Sequence, residues 1–233
     1  MPTITDLANS LWAVRPLSSA FVVGLTGGVA SGKSTLAATL AQALQAMPGQ
    51  PVVEQAATDG FLHANAILIE REILSRKGFP ETYDRAAMVR ALEAVRTGPA
   101  GFPAYSHSLY DVDPGLGRII DRPDVLIIEG LGLDERLPLD ALVYLDADRA
   151  DQEAWYVSRF VGFWEMAEHD PKSFYARFRG MDREAVTRLA AQVWNEVNLP
   201  NLRSHIEPLR EAADLVVRKR SDHSISAIVR RAA

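Results

Sequence analysis

No cysteine occurs among the 233 residues. That excludes disulfides, zinc–thiolate centres and a cysteine nucleophile. A basic excess is missing too: the formal net charge is −5, which argues against a protein held to nucleic acid by phosphate contacts. No apolar run approaches the roughly 20 residues of a membrane-crossing helix. The N-terminal stretch Met1-Pro2-Thr3-Ile4-Thr5-Asp6-Leu7 has no basic segment followed by an apolar core. On these grounds we expect a cytoplasmic protein with no membrane or nucleic-acid partner. A Pro/Gly/Ser-rich linker, an internal repeat and a low-complexity tract are likewise missing. Residues 1–233 are therefore expected to form one domain, long enough to bury a substantial core.

What is present is a glycine-rich run. Gly27-Gly28-Val29-Ala30-Ser31-Gly32-Lys33-Ser34 fits G-x-x-x-x-G-K-[ST], the loop that holds nucleoside triphosphate phosphates. The apolar Phe21-Val22-Val23-Gly24-Leu25 precedes it, and the helix-forming Leu36–Leu44 follows. This is the strand–loop–helix setting the motif requires. Gly27 and Gly32 let the backbone curl until several N–H groups face one anion, and the helix start adds its positive dipole end. Lys33 supplies a mobile charge for the β- and γ-phosphates, and the Ser34 hydroxyl is suited to Mg²⁺. Residues 27–34, with Thr35, are the expected ATP contacts.

Along the chain, residues 3–18 read as a short helix capped at Thr5 and then a turn. Strands are expected at 21–26, 51–57, 125–130, 141–145 and 214–218, and helices at 33–46, 62–76, 85–96, 150–164 and 182–197. The Gly-, Pro- and Asp-rich stretch 100–123 reads as a long loop with short extended pieces. Strands alternating with helices imply an α/β fold with a mostly parallel sheet, whose ligands gather at the carboxyl ends of the strands. Asp59 follows the second strand and Glu129 ends the third. One acid beside a phosphate loop suits Mg²⁺ or its water shell, and a second suits the proton of an acceptor hydroxyl. A helix N-cap for Asp59 and an ordinary loop-end acid for Glu129 are the bland alternatives.

From Asp59 onward the chain resembles type I (prokaryotic) pantothenate kinase, of the phosphoribulokinase/uridine kinase group of P-loop kinases. The matching runs are Thr58–His63, Lys77–Asp84, Tyr105–Asp111, Ile127–Leu131, Trp155-Tyr156 with Arg159-Phe160, Asp170-Pro171 and Asn198–Leu202. They are colinear over roughly residues 21–220. The resemblance implies a P-loop NTPase three-layer sandwich with a helical lid at about 165–181 and a short extension over residues 1–20. It implies ATP and Mg²⁺, with phosphoryl transfer to a small-molecule hydroxyl, pantothenate first. A homodimer is compatible with it. Asp59 resembles the catalytic aspartate, Lys33 and Ser34 the ATP and metal residues, and Glu129 the acid of the Walker B-like strand. His107, Tyr110, Tyr156 and one of Asn198 or Asn201 resemble residues lining the acceptor pocket.

The departures are specific. Where the family reads Phe-Arg-Glu-Gly-Ala-Phe, this chain reads Phe163-Trp164-Glu165-Met166-Ala167-Glu168, and Ala38 replaces an arginine of the coenzyme A phosphate site. Phosphoryl transfer needs a cation on the developing charge, so Arg159, Arg177 or Arg179 is expected to replace the arginine lost at Trp164, or else all three are solvated. Trp155 and Phe160 read as core, Tyr156 as a pocket residue, and Arg218-Lys219-Arg220 as solvated charge. Two further functions stay open: a kinase of the same frame acting on a nucleoside, sugar or small hydroxy acid, and a nucleotide-binding regulator without catalysis.

Overall fold

The structure, a computed structural model, describes residues 2–231; Met1 and the last two residues, part of the expected 1–233 domain, lie outside it. Five parallel strands form its centre: β1 (Phe21–Gly27), β2 (Val53–Ala57), β5 (Val125–Glu129), β6 (Ala141–Asp146) and β7 (Leu215–Lys219). The order across the sheet is β2-β5-β1-β6-β7-β8, with β8 (Ile225–Arg230) antiparallel at the edge. Every residue of β1 is buried, as expected of a strand covered on both faces. Its alternation sorts the two layers. Phe21, Val23 and Leu25 face Leu36, Leu40 and Leu44 of α2 (Lys33–Gln45) and Leu7 and Leu11 of α1 (Ile4–Trp12). Val22 faces the opposite layer, with Met88 and Leu92 of α4 (Arg85–Ala94), Trp194 and Ile206.

Local chemistry sets the boundaries. Thr3, not Thr5, caps α1: its Oγ1 accepts from Asp6 N at 3.3 Å while Asp6 returns a bond to Thr3 N at 2.7 Å, a complete capping box. The expected helix 62–76 shrinks to α3 (Asn65–Glu70) and a 3₁₀ turn at Leu74–Arg76, because its isoleucines form no buried stripe: Ile67 and Ile69 are exposed, and within α3 only Leu68 is buried. The expected loop 100–123 is a hairpin, β3 (Ala100–Ser106) paired antiparallel with β4 (Asp111–Ile120). Pro103 and Gly115 and Gly117 hid it from a pattern reading, yet such residues are tolerated in edge strands and at bulges, and the register slips between Phe102 and Ala104. Gly60 lets this hairpin approach β2, since a Cβ there would lie 2.0 Å from Pro103 O. Helix α6 (Arg183–Val193) follows α5 (Arg149–Met166) and continues through wide π turns at Trp194–Asn198 and Leu202–Ile206.

Parallel pairing lines up the carboxyl ends. Leu25 and Ala57 both pair with Glu129, so the loop after β1, the turn after β2 and the acid ending β5 meet at one place. At the other end of the sheet a single arginine ties the layers. Arg96 donates to Asp140 at 2.9 and 3.1 Å and to Pro138 O at 2.7 Å, and Asp140 accepts from Val22 N at 2.8 Å. Arg96→Ala should lower unfolding free energy by about 2 kcal/mol, the worth of a partly buried charged hydrogen-bond cluster, with an unchanged urea m-value; wild-type stability in a urea titration would refute this tie.

Candidate active site

Three positions of the glycine loop have positive φ: Gly27, Gly32 and, at +60, Ala30. Gly27 has φ +148 and packs so closely on β6 that a Cβ would lie 2.5 Å from Leu145 O; Gly32 has φ +89 and starts α2. Lys33 is 8 % exposed, and its Nζ donates to Gly28 O at 3.0 Å. Burial pushes its pKa down; Glu129 and Asp59 oppose that shift, and Arg159 adds to it. The Ser34 hydroxyl donates to Glu129 Oε1 at 2.7 Å. Among the described residues no three acidic or histidine side chains gather as a metal cage. A hydroxyl beside one carboxylate still fits Mg²⁺, which is usually held by one or two protein oxygens together with substrate phosphates and water.

Asp59 lies in a 3₁₀ turn (Thr58–Phe61) directly after β2. The Tyr83 hydroxyl donates to its Oδ1 at 3.3 Å, and burial followed by the Asp59 charge drives the Tyr83 pKa far up, so this phenol stays a donor. Asp59, Glu129, His107 and Arg159 line one cavity of about 250 Å³, with the β3–β4 hairpin along one wall. Burial lowers the His107 pKa despite Asp59, so the imidazole is neutral near pH 7; its ring lies 5.2 Å from Tyr105 and 6.1 Å from Phe163.

A second cavity, of about 800 Å³, opens between the loop, α5 and the β7–β8 hairpin, with Trp155, Lys219 and His223 on its walls. Pattern reading missed this wall. Trp155 is not core: it is half-buried and stacks on His223 at 4.3 Å. Lys219 is not solvated charge: its Nζ donates to Ser31 O at 2.7 Å and lies 5.1 Å from the Trp155 ring. Its position as the last residue of β7 was the available signal, because ligands collect at strand carboxyl ends. Arg218 pairs with Asp148 at 3.1 Å. The two cavities share Ala30, Lys33, Ser34 and Arg159.

The remaining candidates divide. Tyr156 lies 5.9 Å from Trp194, and Asn198 Nδ2 donates to Val193 O at 3.4 Å. Asn201 is buried and donates to Gly78 O at 2.8 Å, leaving its Oδ1 without a partner. Tyr110 stands behind Tyr105, stacked at 4.2 Å on Phe174. Of the three arginines weighed against the loss at Trp164, Arg159 alone lines the cavities. Arg177 lies over the Phe174 ring at 4.2 Å, and Arg179 donates to Ala167 O. The Trp164 indole donates to Phe178 O at 3.1 Å.

The phosphoribulokinase/uridine kinase family model matches residues 22–161. The chain belongs to this family. It is thus a nucleotide-binding P-loop kinase, a phosphotransferase. Among its relatives, the pantothenate kinases of Brucella ovis and Brucella abortus are 40% identical over 227 residues, spanning 91% of this chain and 70% of theirs. A candidate fructose transport system kinase from Silicibacter sp. TM1040 superposes with a TM-score of 0.69 at 26% identity, over 91% of this chain and 96% of that one. D-glycerate 3-kinase from Cryptococcus neoformans shares the fold at a TM-score of 0.62 and 13% identity, over 98% and 96%.

One cation beside the smaller cavity, 4.8 Å from the Tyr105 ring, was not singled out in the sequence. Lys77 Nζ donates to Asn65 Oδ1 and Tyr110 O, both at 2.6 Å, and sits 4.4 Å from the Tyr110 ring. Burial lowers its pKa to about 8, against the pull of Asp111 and Asp59. A lysine with a depressed pKa carries its charge below that value and sheds it above. The acceptor kcat/KM should therefore fall as pH rises through about 8, and Lys77→Arg should move this limb beyond about pH 10. An unmoved limb in a pH–rate profile of that variant would assign it to another group.

Proposed function

We propose that this kinase transfers the γ-phosphoryl of ATP to a primary hydroxyl of a small acceptor, pantothenate first. The observation that carries this reading is the meeting of the two cavities at Lys33, Ser34 and Arg159. ATP lies on the Trp155–His223 side with its phosphates in the loop, and the acceptor lies on the Asp59–His107 side. The acceptor oxygen forms the new bond to the γ-phosphorus, the bond from that phosphorus to the β-bridging oxygen breaks, and ADP leaves. Asp59 takes the hydroxyl proton. Lys33 and Arg159 face the charge that builds on the transferring group, so Arg159 stands in for the arginine missing at Trp164. Ser34 and Glu129 would hold Mg²⁺, which neutralises phosphate charge when bound.

Residues 165–181 are read as a lid over the acceptor side of a single kinase domain. Support comes from its docking: Phe174 N donates to Ser108 O at 2.7 Å, Ser108 Oγ donates to Asp170 Oδ2 at 2.7 Å, and Tyr175 packs 5.2 Å from both Phe160 and Phe163. His107, Tyr156 and the Asn198–Asn201 turn complete the acceptor wall, with Tyr110 one layer behind. A nucleoside, sugar or small hydroxy acid is the second reading, favoured by the changed lid residues Trp164 and Glu168. A purely regulatory nucleotide binder has no use for Asp59.

Asp59→Asn keeps the shape and removes the base. Turnover should drop roughly 10²–10⁴-fold with ATP affinity little changed; a variant that keeps its kcat and loses ATP binding would reassign Asp59 to metal or fold. Acceptor identity is read by a coupled ADP-release assay over pantothenate, nucleosides, sugars and hydroxy acids. Turnover is expected with pantothenate, and turnover confined to a nucleoside, sugar or hydroxy acid would replace the first reading with the second.

A further inference from the structure

Gln152 of α5 is 3 % exposed and lines neither cavity. Its Nε2 donates to Ala147 O at 2.8 Å. That bond fixes the amide's direction, since an oxygen turned toward Ala147 would set two acceptors against each other. Oε1 therefore faces the other way, and it has no hydrogen-bond partner. What it faces is Gly28. A Cβ at that position would lie 1.7 Å from Gln152 Oε1 and 2.9 Å from its Cδ, while the next neighbour, Leu202 Cδ1, stands at an ordinary 3.5 Å. Unlike Gly27 and Gly32, Gly28 does not have a positive φ. Gly28 thus lacks the positive φ that would demand glycine, and the obstacle to a side chain there is one neighbour, the Gln152 amide held on Ala147 O.

The position matters because the Gly28 carbonyl holds the site's cation. It accepts from Lys33 Nζ at 3.0 Å and from Ser31 N at 3.2 Å. Whatever fixes Gly28 fixes the resting place of the ammonium. A buried acceptor without a partner carries a cost that calls for a reason, and contact with the phosphate loop supplies one. The same helix carries Tyr156 and Arg159 four and seven residues further on, on the same face. We propose that Gln152 is a positioning residue for the phosphate loop: its amide, locked on Ala147, presses residue 28 into place, makes glycine obligatory there and sets Lys33 relative to Arg159. This rests on the reading of the loop as the ATP phosphate site.

The test is a double-mutant cycle on the full chain, with Mg·ATP titrated calorimetrically and both KM values measured. Gly28→Ala should weaken ATP binding at least about tenfold and raise the KM for ATP more than that for the acceptor. Adding Gln152→Ala removes the colliding amide and should restore affinity to within about threefold of the Gln152→Ala single variant. If Gly28→Ala fails to fold, recovery of folding and ATP binding in the double variant supports the inference equally. A double variant no better than Gly28→Ala, or a Gly28→Ala protein that binds ATP like wild type, overturns it. Wild-type protein that binds no ATP sinks the phosphate-site reading itself, a separate and visible failure.

Discussion

A buried lysine, whose charge burial opposes and two acids support, governs this structure. Lys33 is almost wholly removed from water, and burial works against its charge. An ion in that position is costly unless opposite charge and hydrogen-bond acceptors surround it. Gly28 O supplies the acceptor, and Glu129 and Asp59 supply the charge. Those two acids come from strand ends far apart in sequence. Only parallel pairing of β2, β5 and β1 brings them to the loop, so the sheet topology answers an electrostatic need. The acids serve twice, since the groups that oppose the loss of charge on Lys33 also stand where a metal and a hydroxyl proton would have to be handled.

What could be read from the chain follows from how local each signal is. The glycine loop was legible because its spacing encodes its geometry: Gly27 and Gly32 occupy backbone conformations that other residues avoid. β1 and β5 were legible as apolar runs buried on both faces. The β3–β4 hairpin was not, because its Pro and Gly residues and exposed pleat look like a loop, and its pairing rests on contacts with Gly60 and the edge of β2. Trp155 and Lys219 were misread for the opposite reason. A tryptophan at helical spacing and a lysine among basic residues are ordinary locally, and only the stacking of Trp155 on His223 shows that they wall a cavity.

Helix α5 organises the rest. Gln152 touches the loop, Trp155 the larger cavity, Tyr156 the Trp194 layer and Arg159 the place where the cavities join. Side chains at such intervals share a face, so a rigid rod spaces four functions that would otherwise need four loops. The aromatic packing of Phe160 and Phe163 against Tyr175 ties this rod to the segment read as a lid.

The bond from Lys219 to Ser31 spans 188 positions of the chain. Domains assemble as the chain emerges from the ribosome, N-terminal parts first. The phosphate loop is therefore synthesised well before Lys219 and His223, which stand beside it on the β7–β8 hairpin. Until then the loop has neither its lateral cation nor the stacked wall beside it. Synthesis itself orders the two events: the anion cradle is made first, and the wall that Lys219 and His223 add to it is made 188 positions later.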